Sequence, residues 1–157
     1  MKVEGQTRRQ FCTGTCSAAA LAALGSALAA CGGGSSPTGA SGGSFSSLPQ
    51  VSGTGTSGSI TVTVTGTALA KVGGLALVRT SIGDVLVART GDAAFTALSS
   101  ICTHETCAIT AYSGTTFVCP CHGSQFDASG KVLVGPARTS LRQYTTAFAN
   151  DVLTITA

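Results

Sequence analysis

Cys102, His104, Cys107, Cys119, Cys121 and His122 fall within 21 consecutive positions, and they include the only two histidines of the 157-residue chain. They form two boxes, Cys102-Thr103-His104-Glu105-Thr106-Cys107 and Cys119-Pro120-Cys121-His122-Gly123-Ser124. Thiolate and imidazole are the side-chain ligands of zinc and iron. Two of each would complete a tetrahedral zinc site. They would equally complete a binuclear iron–sulfur group, which takes four protein ligands, two per iron. A third arrangement closes the four cysteines into two disulfides beside solvated histidines, and leaves the placement of both histidines to coincidence. Zinc, for its part, leaves the second cysteine pair and Gly123-Ser124 unexplained. With both histidines in the boxes, no imidazole remains to activate a serine or threonine nucleophile. The chain reads as a carrier rather than a catalyst.

The elements that must position these boxes read as β. Ile60-Thr61-Val62-Thr63-Val64-Thr65 alternates apolar and polar residues, the period of a half-buried strand. Leu75 to Val78 and Val85 to Ala88 flank a turn at Ser81-Ile82-Gly83-Asp84. Further runs are Ala94 to Leu98, Thr116 to Val118, Val132 to Val134, Leu141 to Phe148 and Val152 to Ile155, with a tight turn at Asn150-Asp151. No window sustains helical spacing. The expectation is an all-β domain over residues 60–157, a small antiparallel sandwich or barrel. Phe95, Phe117 and Phe148 are its expected core. Lys71, Arg79 and Arg89 are expected on a solvated face, and Arg138 and Arg142 are candidates to touch a partner.

The first sixty residues read differently. Polar residues with Arg8-Arg9 precede the apolar run 17–30, the pattern of an export signal over residues 1–30. That run is too short to span a bilayer, which needs roughly 20 residues. Thr7-Arg8-Arg9-Gln10-Phe11 resembles a twin-arginine motif. Leu28-Ala29-Ala30-Cys31 resembles a lipobox, making Cys31 the expected lipid attachment. Residues 31–59, rich in Gly, Ser and Thr, read as a flexible tether with a reach of roughly 30 Å. The protein is thus expected lipid-anchored on the extracytoplasmic, periplasmic face of a membrane. The net charge of +3 comes mostly from the N-terminus; beyond residue 30 stand six basic and five acidic residues, which argues against nucleic-acid binding.

The two boxes resemble those of the Rieske family, whose [2Fe–2S] cluster sits on two cysteines and two histidines. The resemblance covers roughly residues 60–157. It implies Cys102, His104, Cys119 and His122 as ligands. The cytochrome bc and b6f type of the family further implies a disulfide between Cys107 and Cys121, admissible in an oxidising compartment. From Cys31 onward the cysteines then divide into one lipid site, two ligands and one disulfide. Gly135-Pro136-Ala137 resembles the family's proline loop over the cluster, and Ser124 a serine that hydrogen-bonds a bridging sulfide and raises the potential.

There are departures. Phe126 stands where high-potential members carry a tyrosine donor, which implies a lower potential. Glu105 and Thr106 replace a Leu-Gly pair at the quinol-docking tip. A carboxylate beside His104 is expected to favour the oxidised cluster and to raise the imidazole pKa. The implied function is one-electron transfer, as the electron-transfer subunit of a quinol-oxidising or arsenite-oxidase-like respiratory complex. Its redox partners would be a cytochrome b or c or a molybdenum subunit. The alternative is a free-standing lipid-anchored carrier of lower potential, and the remote alternative a zinc-stapled structural domain. A ring-hydroxylating oxygenase system is not expected: its soluble ferredoxins generally lack the disulfide pair, and an oxygenase subunit would need a large catalytic domain with a mononuclear iron site.

Overall fold

The computed structural model describes residues 44–156. Thirteen strands follow in order: β1 Ser46–Ser47, β2 Gln50–Ser52, β3 Thr54–Thr56, β4 Ser59–Thr63, β5 Leu75–Arg79, β6 Val85–Arg89, β7 Phe95–Ser99, β8 Ala111–Ser113, β9 Thr116–Val118, β10 Gln125–Phe126, β11 Val132–Val134, β12 Gln143–Ala149 and β13 Val152–Thr156. A single 3₁₀ turn, Ala68–Ala70, is the only helical element among the described residues. The all-β expectation holds.

The strands make two sheets. Eight run in the order β2-β5-β6-β7-β12-β13-β4-β3, and five in the order β1-β8-β9-β10-β11. In the large sheet the two edge strands, β2 and β3, are consecutive in sequence with only Gly53 between them. The sheet therefore curls until its edges meet, a nearly closed barrel. Closure requires a glycine. A Cβ on Gly53 would stand 2.9 Å from Val78 Cγ1 on β5 and 3.2 Å from Val62 Cγ2 on β4, two strands from opposite halves of the sheet. The Gly53 N–H donates to Arg79 O at 2.9 Å and pins the corner.

Sequence pattern explains which strands form the wall nearest the site. β4 and β13 alternate buried and exposed residues, so each has one wet face. β5 (Leu-Ala-Leu-Val-Arg) and β6 (Val-Leu-Val-Ala-Arg) are apolar without alternation, and both of their faces are covered. Ala76, Val78, Val85 and Val87 point into the barrel interior with Val62, Leu69 and Leu153. Leu75, Leu77, Leu86 and Ala88 point the other way, into a second core with Cys102, Phe117, Cys119 and Phe126. The small sheet thus rests its cysteines on the outer face of the barrel wall.

Two expectations about the frame need correction. The tether was expected to run to residue 59, yet β1, β2 and β3 lie within it. Serine, threonine and glycine there serve short edge strands whose outward residues are exposed, and just two apolar side chains, Leu48 and Val51, are buried as anchors. Residues 1–43, with the signal and Cys31, lie outside the described residues. Arg89, expected on a solvated face, is a clamp. It donates to the carbonyls of Leu69 (3.1 Å), Ala70 (2.8 Å), Gly91 (3.2 Å) and Asp92, and lies 5.2 Å over the Phe95 ring and 5.8 Å over Phe148. It ties the 3₁₀ turn to β6 and to the expected core phenylalanines. Arg79 is exposed and pairs with Asp84 at 3.6 Å, and Lys71 is exposed.

Candidate metal centre

Both boxes sit at the tips of hairpins, so the local fold dictates their shape. The first follows β7. An isolated bridge between Ile101 and Ala108 closes its neck, the Cys102 N–H donates to Cys107 O at 2.9 Å, and the Ile109 N–H to Ser100 O at 2.8 Å. The second is the turn between β9 and β10. There the Cys119 N–H donates to Ser124 O at 2.8 Å and the Gly123 N–H to Cys119 O at 3.1 Å. A disulfide between Cys107 and Cys121 locks the two tips together, the pairing that the family resemblance implied.

The remaining donors divide by depth. The Cys102 and Cys119 thiols are free and buried, at 4% and 1% exposure. Burial pushes the Cys119 thiol above its ordinary range, and the nearby Cys102 sulfur adds to the rise; the backbone N–H groups of Cys121 and His122 act in the opposite direction. His104 and His122 are exposed, their rings 5.0 Å apart and nearly perpendicular at 84°. Within 4.8 Å of one another the ligand atoms gather in two sets: the exposed His104, Glu105 and His122, and the buried Cys119 with the two disulfide sulfurs of Cys107 and Cys121. Among the described residues no such set mixes a thiol with an imidazole.

A third segment covers the pair. Ser124 is fully buried, and its Oγ accepts from the Ala137 N–H at 3.2 Å. This bond fastens Gly135-Pro136-Ala137 to the second box. Among the described residues the Ser124 O–H finds no protein acceptor, so its hydrogen is free to be donated at the centre. Gly135 has φ +100° and crosses so close to the second box that a Cβ would lie 2.5 Å from Ser124 Cα. Phe126 is fully buried beneath the site, in the same core as the two thiols.

Glu105 lies within 4.8 Å of both histidines, beside His104 as expected and close to His122 as well. Its Oε2 lies 3.8 Å from His122 Nδ1, across the gap between the boxes, so the residue next to His104 in sequence pairs in space with the other histidine. Sequence reasoning also missed Thr103, whose hydroxyl donates to Thr139 O at 2.6 Å and ties the first box to the chain beyond the proline loop. Its one signal was a hydroxyl inside the first box. Of the two candidate arginines, Arg142 lies 5.1 Å over the Tyr144 ring and Arg138 is exposed.

Two buried thiols, two facing imidazoles, a clamping disulfide and a serine hydroxyl with an unspent hydrogen suit a binuclear iron–sulfur group. A comparison of sequences reaches the same place: residues 54–145, more than half of the chain, match the family model described as Rieske [2Fe-2S] domain. The chain belongs to the Rieske family. Its cofactor is a Rieske-type [2Fe–2S] cluster. Among similar proteins, the cytochrome b6-f complex iron-sulfur subunit of Synechococcus sp. (strain WH7803) is 49% identical over 55 residues, 34% of this chain and 31% of that one. The subunit of the same name from Prochlorococcus marinus (strain MIT 9515) is 44% identical over 75 residues, 45% of this chain and 42% of that one. The matched stretch is thus less than half the length of these relatives. The solved plasma membrane Rieske protein of Synechocystis PCC 6803 aligns at 35% identity and TM-score 0.49, over 56% of this chain and 91% of that one.

Proposed function

We propose that this Rieske domain passes single electrons through a cluster held by Cys102 and Cys119 on its buried side and His104 and His122 on its exposed side. The observation that carries the ligand assignment is the division of the donors by depth: the free Cys102 and Cys119 thiols are buried, and the His104 and His122 rings are exposed with their centroids 5.0 Å apart. A tetrahedral zinc ion, with bonds of about 2.0–2.3 Å, draws all its ligand atoms to within roughly 4 Å of one another. A buried thiol pair beside a separate exposed imidazole pair would suit a binuclear group, which takes two ligands per iron. When bound, the cluster supplies a one-electron couple.

The protein does the rest. The barrel wall excludes water from the thiol side, and the disulfide holds both tips at fixed separation. The exposed imidazoles mark the face where a partner approaches. Ser124, with its free hydrogen, favours the more negative, reduced state. Glu105, a carboxylate at the imidazole side, favours the oxidised one.

The relatives' name supports a role as the electron-transfer subunit of a membrane respiratory complex, taking electrons from quinol and delivering them to a cytochrome. An arsenite-oxidase-like complex with a molybdenum subunit fits the same site. The twin-arginine pattern, Cys31 and the Gly/Ser stretch support export to the periplasmic face and a lipid anchor. Phe126 and Glu105 favour a second reading, a free-standing lipid-anchored carrier of lower potential. Quinol-driven reduction in native membranes separates the two. A subunit is reduced by a water-soluble quinol analogue and copurifies with a cytochrome b or a molybdenum subunit; a carrier does neither. Cys31→Ala should release the protein from membranes, and retention of the variant would contradict the anchor.

A further inference from the structure

We infer that His104, Glu105 and His122 form a mononuclear site for a borderline divalent cation, such as zinc or ferrous iron, in the chain before its cluster is loaded. Three observations carry this. The ligand atoms of the three residues lie within 4.8 Å of one another, all on exposed side chains that a solvated ion can reach. The imidazole centroids stand 5.0 Å apart with the rings edge to face, and the Glu105 carboxylate lies 3.8 Å from His122 Nδ1. Glu105 is the only acid in either box, and it supplies the negative charge that two neutral imidazoles lack.

Two nitrogens and a carboxylate oxygen suit zinc, cobalt and ferrous iron, with open positions left to water. The set of His104, Glu105 and His122 contains no cysteine, and the two free thiols are buried, so the ion is held without sulfur. Backbone hydrogen bonds, the disulfide and the Thr103–Thr139 bond tie both tips to each other and to the rest of the fold. The same imidazoles cannot serve the ion and the cluster together, so occupancy of one excludes loading of the other. The inference does not rest on the electron-transfer reading. It concerns the cluster-free chain and the charge that Glu105 adds.

The test is a cobalt(II) titration of the full-length, disulfide-bonded, cluster-free protein, followed by absorption and by circular dichroism. The expected result is a set of weak visible bands with no sulfur-to-cobalt charge transfer in the near ultraviolet. Affinity should drop about tenfold or more in Glu105→Gln, disappear in a His104→Ala/His122→Ala variant, and persist in Cys102→Ser/Cys119→Ser. Zinc added first should prevent the cobalt bands and slow cluster reconstitution. An intense charge-transfer band that vanishes in the cysteine variant would overturn the proposal, because sulfur would then hold the ion. Unchanged affinity in Glu105→Gln overturns it as well. So does a cluster-free chain without native β circular dichroism, since the site needs a frame that stands alone.

Discussion

Gly135→Ala probes the contact that holds the proline loop on the second box. The φ of +100° costs an alanine about 1–3 kcal/mol. The added Cβ would lie 2.5 Å from Ser124 Cα, 2.9 Å from Ser124 N and 3.0 Å from Gly123 O, all backbone atoms that cannot swing aside. Carbon atoms settle at about 3.5–4.0 Å, so the loop must retreat by about 1 Å. That carries the Ala137 N–H, now 3.2 Å from Ser124 Oγ, out of hydrogen-bond range and gives up about 0.5–1.5 kcal/mol more. The total is about 2–4 kcal/mol, or a fall in Tm of roughly 10 °C for a domain of this size. Gly66→Ala is the comparator. Its φ is +77° with nothing within 4 Å of the new Cβ, so it carries backbone strain alone, about 1 kcal/mol. Thermal unfolding by far-ultraviolet circular dichroism measures both variants, and a redox titration follows Gly135→Ala, whose potential should fall as the Ser124 hydroxyl is displaced. Equal losses of stability in the two variants, with a wild-type potential in Gly135→Ala, would refute the reasoning.

Phe126→Tyr places a donor in the core that holds both thiols. If its hydrogen bond is stronger to the reduced state by about 1 kcal/mol, the midpoint potential rises by about 40 mV; an unchanged or lower potential removes the explanation for this departure. Cys107→Ala/Cys121→Ala opens a loop with a sequence separation of 14 and should cost about 3 kcal/mol in urea unfolding, whereas an unshifted urea midpoint would mean the disulfide is idle. Burial alone would raise the Asp127 carboxyl, but hydrogen bonds from Ser129 and from the Lys131 N–H outweigh it and hold its pKa below the ordinary range. The stability it adds is therefore complete above its unfolded pKa of about 3.9 and lost as pH falls through the lower folded value. Asp127→Asn should flatten the acid limb of an unfolding-against-pH profile, and an unchanged limb would show that another group governs it.

The sequence made the chemistry legible because its ligand types are rare. Two histidines and four cysteines in two short boxes leave few arrangements. Strands β4, β5, β6, β7, β9, β11, β12 and β13 were readable from period-2 patterns and apolar runs, and the Asn150-Asp151 turn from its residue types, both with positive φ. Strands β1, β2 and β3 were not, because their Ser, Thr and Gly composition matches that of a solvated linker until Leu48 and Val51 find a core. Barrel closure at Gly53 depends on contacts from β4 and β5, consecutive in sequence but in opposite halves of the sheet, and leaves no local mark. Arg89 looked like surface charge because its partners are backbone carbonyls, which are present at every position. The pairing of Glu105 with His122 follows from how two hairpin tips face each other, a fact of tertiary structure alone.

The most direct test of the account is the electron paramagnetic resonance spectrum of the dithionite-reduced, export-matured protein. Mixed nitrogen and sulfur ligation of a [2Fe–2S] cluster predicts a rhombic signal of low average g, with two irons per chain, that is lost in both Cys102→Ser and His104→Ala. A silent spectrum with one zinc per chain would contradict it.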